Sequence, residues 1–369
     1  MLPTIPMPRP GKTQALSELL PVPFETSQAY DDARPEVVAR VDAALFRRPD
    51  LGVLLGDSSA SVVRELNRYL SAFFSSVFSL GLPELVTEGL PRMLSGYRSR
   101  GVSFDYLEVL PTLWRGALGD QMGPKGRPIE SVLDWMDHHP AAWIPAESAV
   151  PDIEPSPGLE ARLSGALLAG DAPGARAVLQ KAIQGGADLP EVFVELIQPA
   201  LYDIGQRWED GRISAAQEHL ASALVSRLLA GLDDSGPARS DRVAVVTTAP
   251  TETHEFGAWM VADVLRNAGW TVHFLGSQLP AEETIRFLRS VEPGLLAISV
   301  TLEIHLPSLR ELVEALRAEP ELREIPVLVG GQAFGDSDRV WRSTGADGRA
   351  YDVRSLAEQA ERLVTIGIR

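Results

Sequence analysis

The chain has 369 residues and is 45% hydrophobic, enough for two or three domains with proper cores. It contains no cysteine, which excludes disulfides, zinc–thiolate sites and iron–sulfur clusters. Its formal charge of −16, without any run of Lys or Arg, argues against a general electrostatic grip on nucleic acid.

Residues 1–40 are proline-rich and irregular, and read as an extended arm. From 41 to 139 the pattern is helical, and about five helices are expected. Val62, Leu66, Tyr69, Leu70, Phe73 and Val77 share one face at three–four spacing. Pro83, Pro91 and Pro111 read as first-turn prolines. Residues 140–158, with five prolines from Pro140 to Pro157, read as a semi-rigid linker. A second helical unit, 159–235, is expected to hold helices at 159–169, 172–184, 189–209 and 214–231. Ser214-Ala-Ala-Gln217 forms a capping box at the start of the last.

From 236 to 369, short apolar runs alternate with helical patterns. The predicted strands are Val243–Thr248, Thr271–Leu275, Leu295–Val300 and Pro326–Val329, with a weak fifth near Arg349–Tyr351. Strands apolar throughout and separated by helices imply a parallel sheet covered on both faces. Five such units predict a flavodoxin-like order, with the switch point between the first and third strands. The fold class is therefore an all-α amino-terminal domain, a four-helix bundle and a carboxyl-terminal α/β domain. No apolar run reaches bilayer-spanning length, and the first residues lack the layout of a secretory signal, so a cytoplasmic location is expected.

The most informative residue is His254, in Glu252-Thr253-His254-Glu-Phe256-Gly257, directly after the first strand. An imidazole there points into the crevice where open α/β sheets bind ligands. Glu252 can hold the ring's other nitrogen, fixing the tautomer of a metal-ligating histidine. The predicted topology puts this loop on one sheet edge with Ser299-Val-Thr301 and Gly330-Gly331. Glycine there lets a ligand lie close to backbone.

These three segments, in this order and spacing, resemble the cobalamin-binding domain family. The resemblance implies that His254 is the lower axial ligand of cobalt, displacing the cofactor's own base, and that Glu252 orients it. It implies further that Thr253, Phe256 and Gly257 belong to the cofactor loop. Ser299 and Thr301 would contact the displaced tail, and Gly330 and Gly331 would wall it. The leading acid is Glu where many members have Asp. The helical unit before it looks like the cap over the corrin in methionine synthase and its relatives. Within it, Trp208 is followed after nine residues by Glu218-His219. That motif resembles the cobalamin-dependent light sensors, including the photosensitive transcriptional repressors, where the three residues line the adenosyl pocket. In those repressors a histidine follows the tryptophan; here it is Glu209, which leaves His219 as the nearest imidazole for the upper face.

The implied function is a photoreceptor rather than an enzyme, binding adenosylcobalamin through its cobalt. Light would break the cobalt–carbon bond and alter the cap or the oligomeric state, with self-association and a downstream protein partner expected. The competing reading is a corrinoid protein carrying methyl groups between methyltransferases. The amino-terminal helices are rich in aromatic residues, which fits an ordinary core. The whole layout also resembles the photocobilins, which implies non-covalent biliverdin as a second chromophore. Arg92, Tyr97, Arg98, Trp114, Arg115 and His138 are the candidate residues for it.

Overall fold

A computed structural model describes residues 22–145, 158–231 and 242–367. The chain divides into two compact units, Met1–Ala149 and Val150–Arg369.

In the first unit, helix α1 (Phe24–Phe46) leads into α2 (Ala60–Leu80), α3 (Leu90–Ser99), α4 (Phe104–Met122) and α5 (Arg127–His138), with single helical turns between some of them. The extended arm expected to residue 40 therefore gives way to helix at Phe24, and residues 1–21 lie outside the described residues. Pro23 and Pro35 hide this helix in the sequence. Its buried residues Tyr30, Val37, Val41 and Leu45 nonetheless fall on one side, and their burial outweighs the cost of Pro35 inside the helix. Helix α2 is bounded by Ser59, whose hydroxyl accepts from the amide of Val62, and by Gly81 in the left-handed conformation.

The aromatic residues fill this unit's interior. Phe74 meets Trp114 edge-on at 5.1 Å, and Tyr30 meets Phe78 edge-on at 5.0 Å. The predicted linker begins as one more helical turn, Pro140–Trp143. Trp143 is buried there and its indole N–H donates to the Met136 carbonyl at 2.8 Å. Residues 146–157 of that linker lie outside the described residues.

The second unit opens with four helices close to the predicted bounds: α6 (Leu159–Leu168), α7 (Ala172–Gln184), α8 and α9 (Ala215–Ala230). Helix α8 runs from Leu189–Val192 through a π turn, Phe193–Ile197, into Gln198–Glu209. Pro199 has no N–H to give the Glu195 carbonyl, so the ladder must shift at this point. The capping box of Ser214 and Gln217 is present, and a second, Asp188 with Glu191, starts α8.

Five parallel strands follow in the order β2-β1-β3-β4-β5, as the pattern predicts: β1 (Val243–Thr248), β2 (Thr271–Phe274), β3 (Leu295–Ser299), β4 (Val327–Gly330) and β5 (Gly348–Ala350). They alternate with α10 (Phe256–Asn267), α11 (Ala281–Val291), α12 (Leu306–Ala318), α13 (Asp338–Arg342) and α14 (Leu356–Gly367). One apolar cluster runs from the helical bundle (Leu163, Phe193, Val225) through α10 (Ala258, Met260) to the sheet (Val246, Ala297) and α14 (Leu356). Bundle and sheet thus share a core. Among the described residues, no helix is long and apolar enough to cross a membrane.

Candidate functional site

The register fixes the site. Thr248 pairs with Ser299, Ser299 with Gly330, and Gly330 with Ala350, so these residues form one row at the carboxyl edge of the sheet. The loops leaving that row carry the predicted residues. The structure therefore brings Glu252, His254, Ser299, Thr301 and Gly330-Gly331 to one edge.

Glu252 is the hub. It is fully buried, and its carboxylate accepts five N–H groups. Oε1 takes the amides of Thr253 (2.9 Å) and His254 (3.0 Å) and the His254 Nδ1–H at 2.5 Å. Oε2 takes the amides of Thr301 (3.0 Å) and Leu302 (3.2 Å), across from the third strand. Burial pushes the carboxyl up, but the bonds from His254 and the nearby charge of His305 outweigh it, and it is held at about 2. The bond from Glu252 raises the His254 imidazole, against burial, with a further push from the Glu218 carboxylate of α9. The bundle's acid and the sheet's imidazole thus share one electrostatic environment.

With Nδ1 committed to Glu252, Nε2 is the nitrogen left to bind, on a side chain about half exposed. Among the described residues, no group of three or more His, Asp or Glu stands ready to hold a metal ion. A single anchored imidazole suits a metal that arrives with its other ligands, as cobalt does in a corrin. The donor set fits that cofactor.

Other residues enter in different ways. Thr301 contributes its amide to Glu252. Phe256 packs partly buried against the core shared by bundle and sheet. Gly257 lies so close to β3 that a Cβ there would sit 2.7 Å from the Ser299 hydroxyl. Gly331, at φ +116°, would drive a Cβ into the Val300 carbonyl, so the protein's own backbone already demands glycine there. Sequence reasoning missed His305 and Thr251. His305 is buried on the loop after β3, with Nδ1 2.9 Å from the Thr251 hydroxyl and Nε2 3.7 Å from Glu252. Burial lowers its pKa. Thr251 holds an unusual φ of +68°. The adjacency of β1 and β3 was the available signal, since it sets a histidine six residues beyond Ser299 against the His254 loop.

In the bundle, the turn between α8 and α9 is closed by the Arg207 carbonyl, which accepts the amides of Arg212 (2.8 Å) and Ile213 (3.2 Å). Trp208 lies in the last turn of α8 and is 43% exposed, unusually open for its size. Glu218 bridges the His219 Nδ1 and the Ser222 hydroxyl, each at 2.6 Å. The ring of His219 is 82% exposed.

Each of the six residues expected around a bilin has contacts within the protein. Trp114 is fully buried against Phe74. Arg115 pairs with Asp134 and Asp137 of α5, where His138 Nδ1 also meets the Asp134 carbonyl at 2.7 Å. Tyr97 donates to Glu65 at 3.1 Å, and Arg98 lies over the Phe104 ring at 3.4 Å. Arg92 stands on the first turn of α3, away from α5 in sequence and partnered within the protein.

A helical bundle over the carboxyl edge of a parallel sheet, with a carboxylate-held histidine at that edge, defines a corrinoid-binding architecture. Residues 159–232 and 242–359 each match a family model described as a B12 binding domain, and the chain belongs to that family through both. It is 35% identical over 144 residues to the HTH-type transcriptional repressor CarH of Myxococcus xanthus, covering 39% of this chain and 48% of the repressor. The chain thus spans about half the length of that relative. It is 23% identical over 210 residues to dimethylamine corrinoid protein 1 of Methanosarcina acetivorans, covering 55% of this chain and 95% of that protein. The monomethylamine corrinoid protein structure from Methanosarcina barkeri aligns with 56% of this chain and 98% of its own, at 19% identity and a TM-score of 0.48.

Proposed function

We propose that this protein is a cobalamin-dependent photoreceptor that binds adenosylcobalamin with His254 on cobalt. The Glu252–His254 contact at 2.5 Å is the observation that carries the reading, because it fixes which imidazole nitrogen is left for the metal. The exposed Trp208 and the Glu218–His219 pair support an adenosyl pocket above it. Similarity to a transcriptional repressor supports a regulator over an enzyme.

Bound adenosylcobalamin supplies a cobalt–carbon bond that visible light breaks. The chain's residues do the rest. Glu252 keeps the His254 ring aimed and takes up the charge of its Nδ1–H. Trp208 and Glu218 would contact the adenosyl group, and its absence would leave the turn between α8 and α9 free to move. That turn is the two-state element a switch requires. Altered self-association or a protein partner would carry the signal onward. His219, the imidazole nearest to Trp208 in sequence, would be the candidate to take the vacated ligand position.

A second reading, a corrinoid protein carrying methyl groups between methyltransferases, is favoured by the near full-length alignment with dimethylamine corrinoid protein 1. Absorption spectra in the dark and after green light, with adenosyl- and methylcobalamin compared, separate the two. Selective uptake of adenosylcobalamin and a lasting photochange support the receptor. Indifferent uptake and methyl transfer to a thiol support the carrier. Biliverdin in the amino-terminal unit, with Arg92, Tyr97, Arg98, Trp114, Arg115 and His138 as its candidate residues, is tested separately by reconstitution and visible spectroscopy.

A further inference from the structure

The amino-terminal unit carries a groove of about 460 Å³ between α1 and α2, lined by Asp31, Arg34, Pro35, Val38, Arg68 and Ser71. This is the size of a small-molecule site. Its polar groups are out of balance. The Asp31 carboxylate is already engaged: it accepts the Ser75 hydroxyl at 2.5 Å and stands 3.8 Å from Arg34. Arg34 Nε reaches the Ser71 hydroxyl oxygen only at 3.4 Å, and the Tyr30 hydroxyl reaches it only at 3.5 Å. Both are long contacts; the Tyr30 hydroxyl donates its one proton to the Ser71 carbonyl at 3.2 Å, and Ser71 itself is buried. Among the described residues, Arg68 forms no ion pair or hydrogen bond. Glu65, the acid whose charge it influences, is gripped by both ends of the Arg100 guanidinium at 2.7 and 2.9 Å.

Two guanidinium groups therefore line the groove against one carboxylate that already has partners. Donors in excess call for an acceptor with several lone pairs and a negative charge. Pro35 and Val38, one helical turn apart, add an apolar wall beside them. We propose that this groove binds an oxyanion, the carboxylate or phosphate head of a small amphipathic molecule. Arg34 and Arg68 hold the head, and Pro35 and Val38 take the apolar part.

Calorimetric titration of the full chain with decanoate, decyl phosphate and decanol tests this. The expected result is saturable binding of at least one anion at a single site, weakened by salt, with no comparable binding of decanol. The stronger of the two anions identifies the head as carboxylate or phosphate. Arg34→Gln with Arg68→Gln, folded as judged by circular dichroism, is expected to bind at least about tenfold more weakly. Arg68→Gln alone alters an exposed side chain and keeps the test valid if the double variant does not fold. Failure of both anions to bind saturably would overturn the proposal. So would decanol binding as tightly as decanoate, or the arginine variants titrating like the parent.

Discussion

Glu252 and His254 are joined by a 2.5 Å contact between a carboxylate oxygen and the imidazole Nδ1, and the same carboxylate holds the amides of Thr301 and Leu302. One buried side chain thus aims the metal ligand and ties the loop after β1 to the loop after β3. Glu252→Gln keeps the shape but has one acceptor oxygen, and its amide nitrogen would face N–H donors. Thermal unfolding of the cofactor-free chain is expected to show a loss on the order of 1–3 kcal/mol. Cobalamin affinity should fall by about 10–100-fold. A variant unchanged in both measurements would contradict the role given to Glu252.

The two glycine positions predict opposite rescue behaviour. Gly257→Ala collides with the Ser299 hydroxyl, a side-chain atom. It should destabilise the chain by about 1–3 kcal/mol, and Ser299→Ala in the same chain should restore most of that. Gly331→Ala meets the Val300 backbone at a positive φ, and no side-chain deletion can relieve it. Denaturant unfolding of Gly257→Ala and of Gly331→Ala, each alone and combined with Ser299→Ala, decides the matter. Equal rescue at both positions would contradict the geometry.

His305 supports Thr251, whose φ of +68° is costly for a β-branched residue. His305→Ala is expected to cost about 1–3 kcal/mol and to raise hydrogen exchange in the loop from Pro250 to His254. Thr251→Gly in that background should recover part of the loss, because glycine accepts the positive φ. If the second change only adds to the damage, His305 does not hold the loop through Thr251.

Trp208 makes a prediction about selectivity rather than stability. Because it is 43% exposed, Trp208→Ala should leave unfolding of the cofactor-free chain within about 0.5 kcal/mol of the parent. Under the photoreceptor reading its preference for adenosyl- over methylcobalamin should fall by about tenfold, the worth of one aromatic contact. An unchanged preference in competitive spectral titrations would remove Trp208 from the adenosyl pocket.

The carboxyl-terminal fold was legible because two periods alternate there without ambiguity, and the strand order follows from five parallel units. The edge holding His254, Ser299 and Gly330 came with that order. His305 stayed hidden because its contact with Thr251 spans 54 positions in sequence and appears only when β1 and β3 are laid side by side. Helix α1 was missed for a local reason. Pro23 and Pro35 punctuate it, and its helical state is decided by what Tyr30 and Val37 pack against. The π turn at Phe193–Ile197 likewise needed the ladder of hydrogen bonds, although Pro199 was its visible cause. In the amino-terminal unit, the aromatic composition fitted an ordinary core, and Phe74, Trp114, Tyr30 and Phe78 fill one.

His254→Ala, titrated with adenosylcobalamin in the dark and followed by absorbance, tests the central claim most directly. The predicted result is a spectrum without an imidazole bound beneath the cobalt and an affinity at least about tenfold below that of the parent. Uptake with undiminished affinity and the parent's spectrum would contradict it.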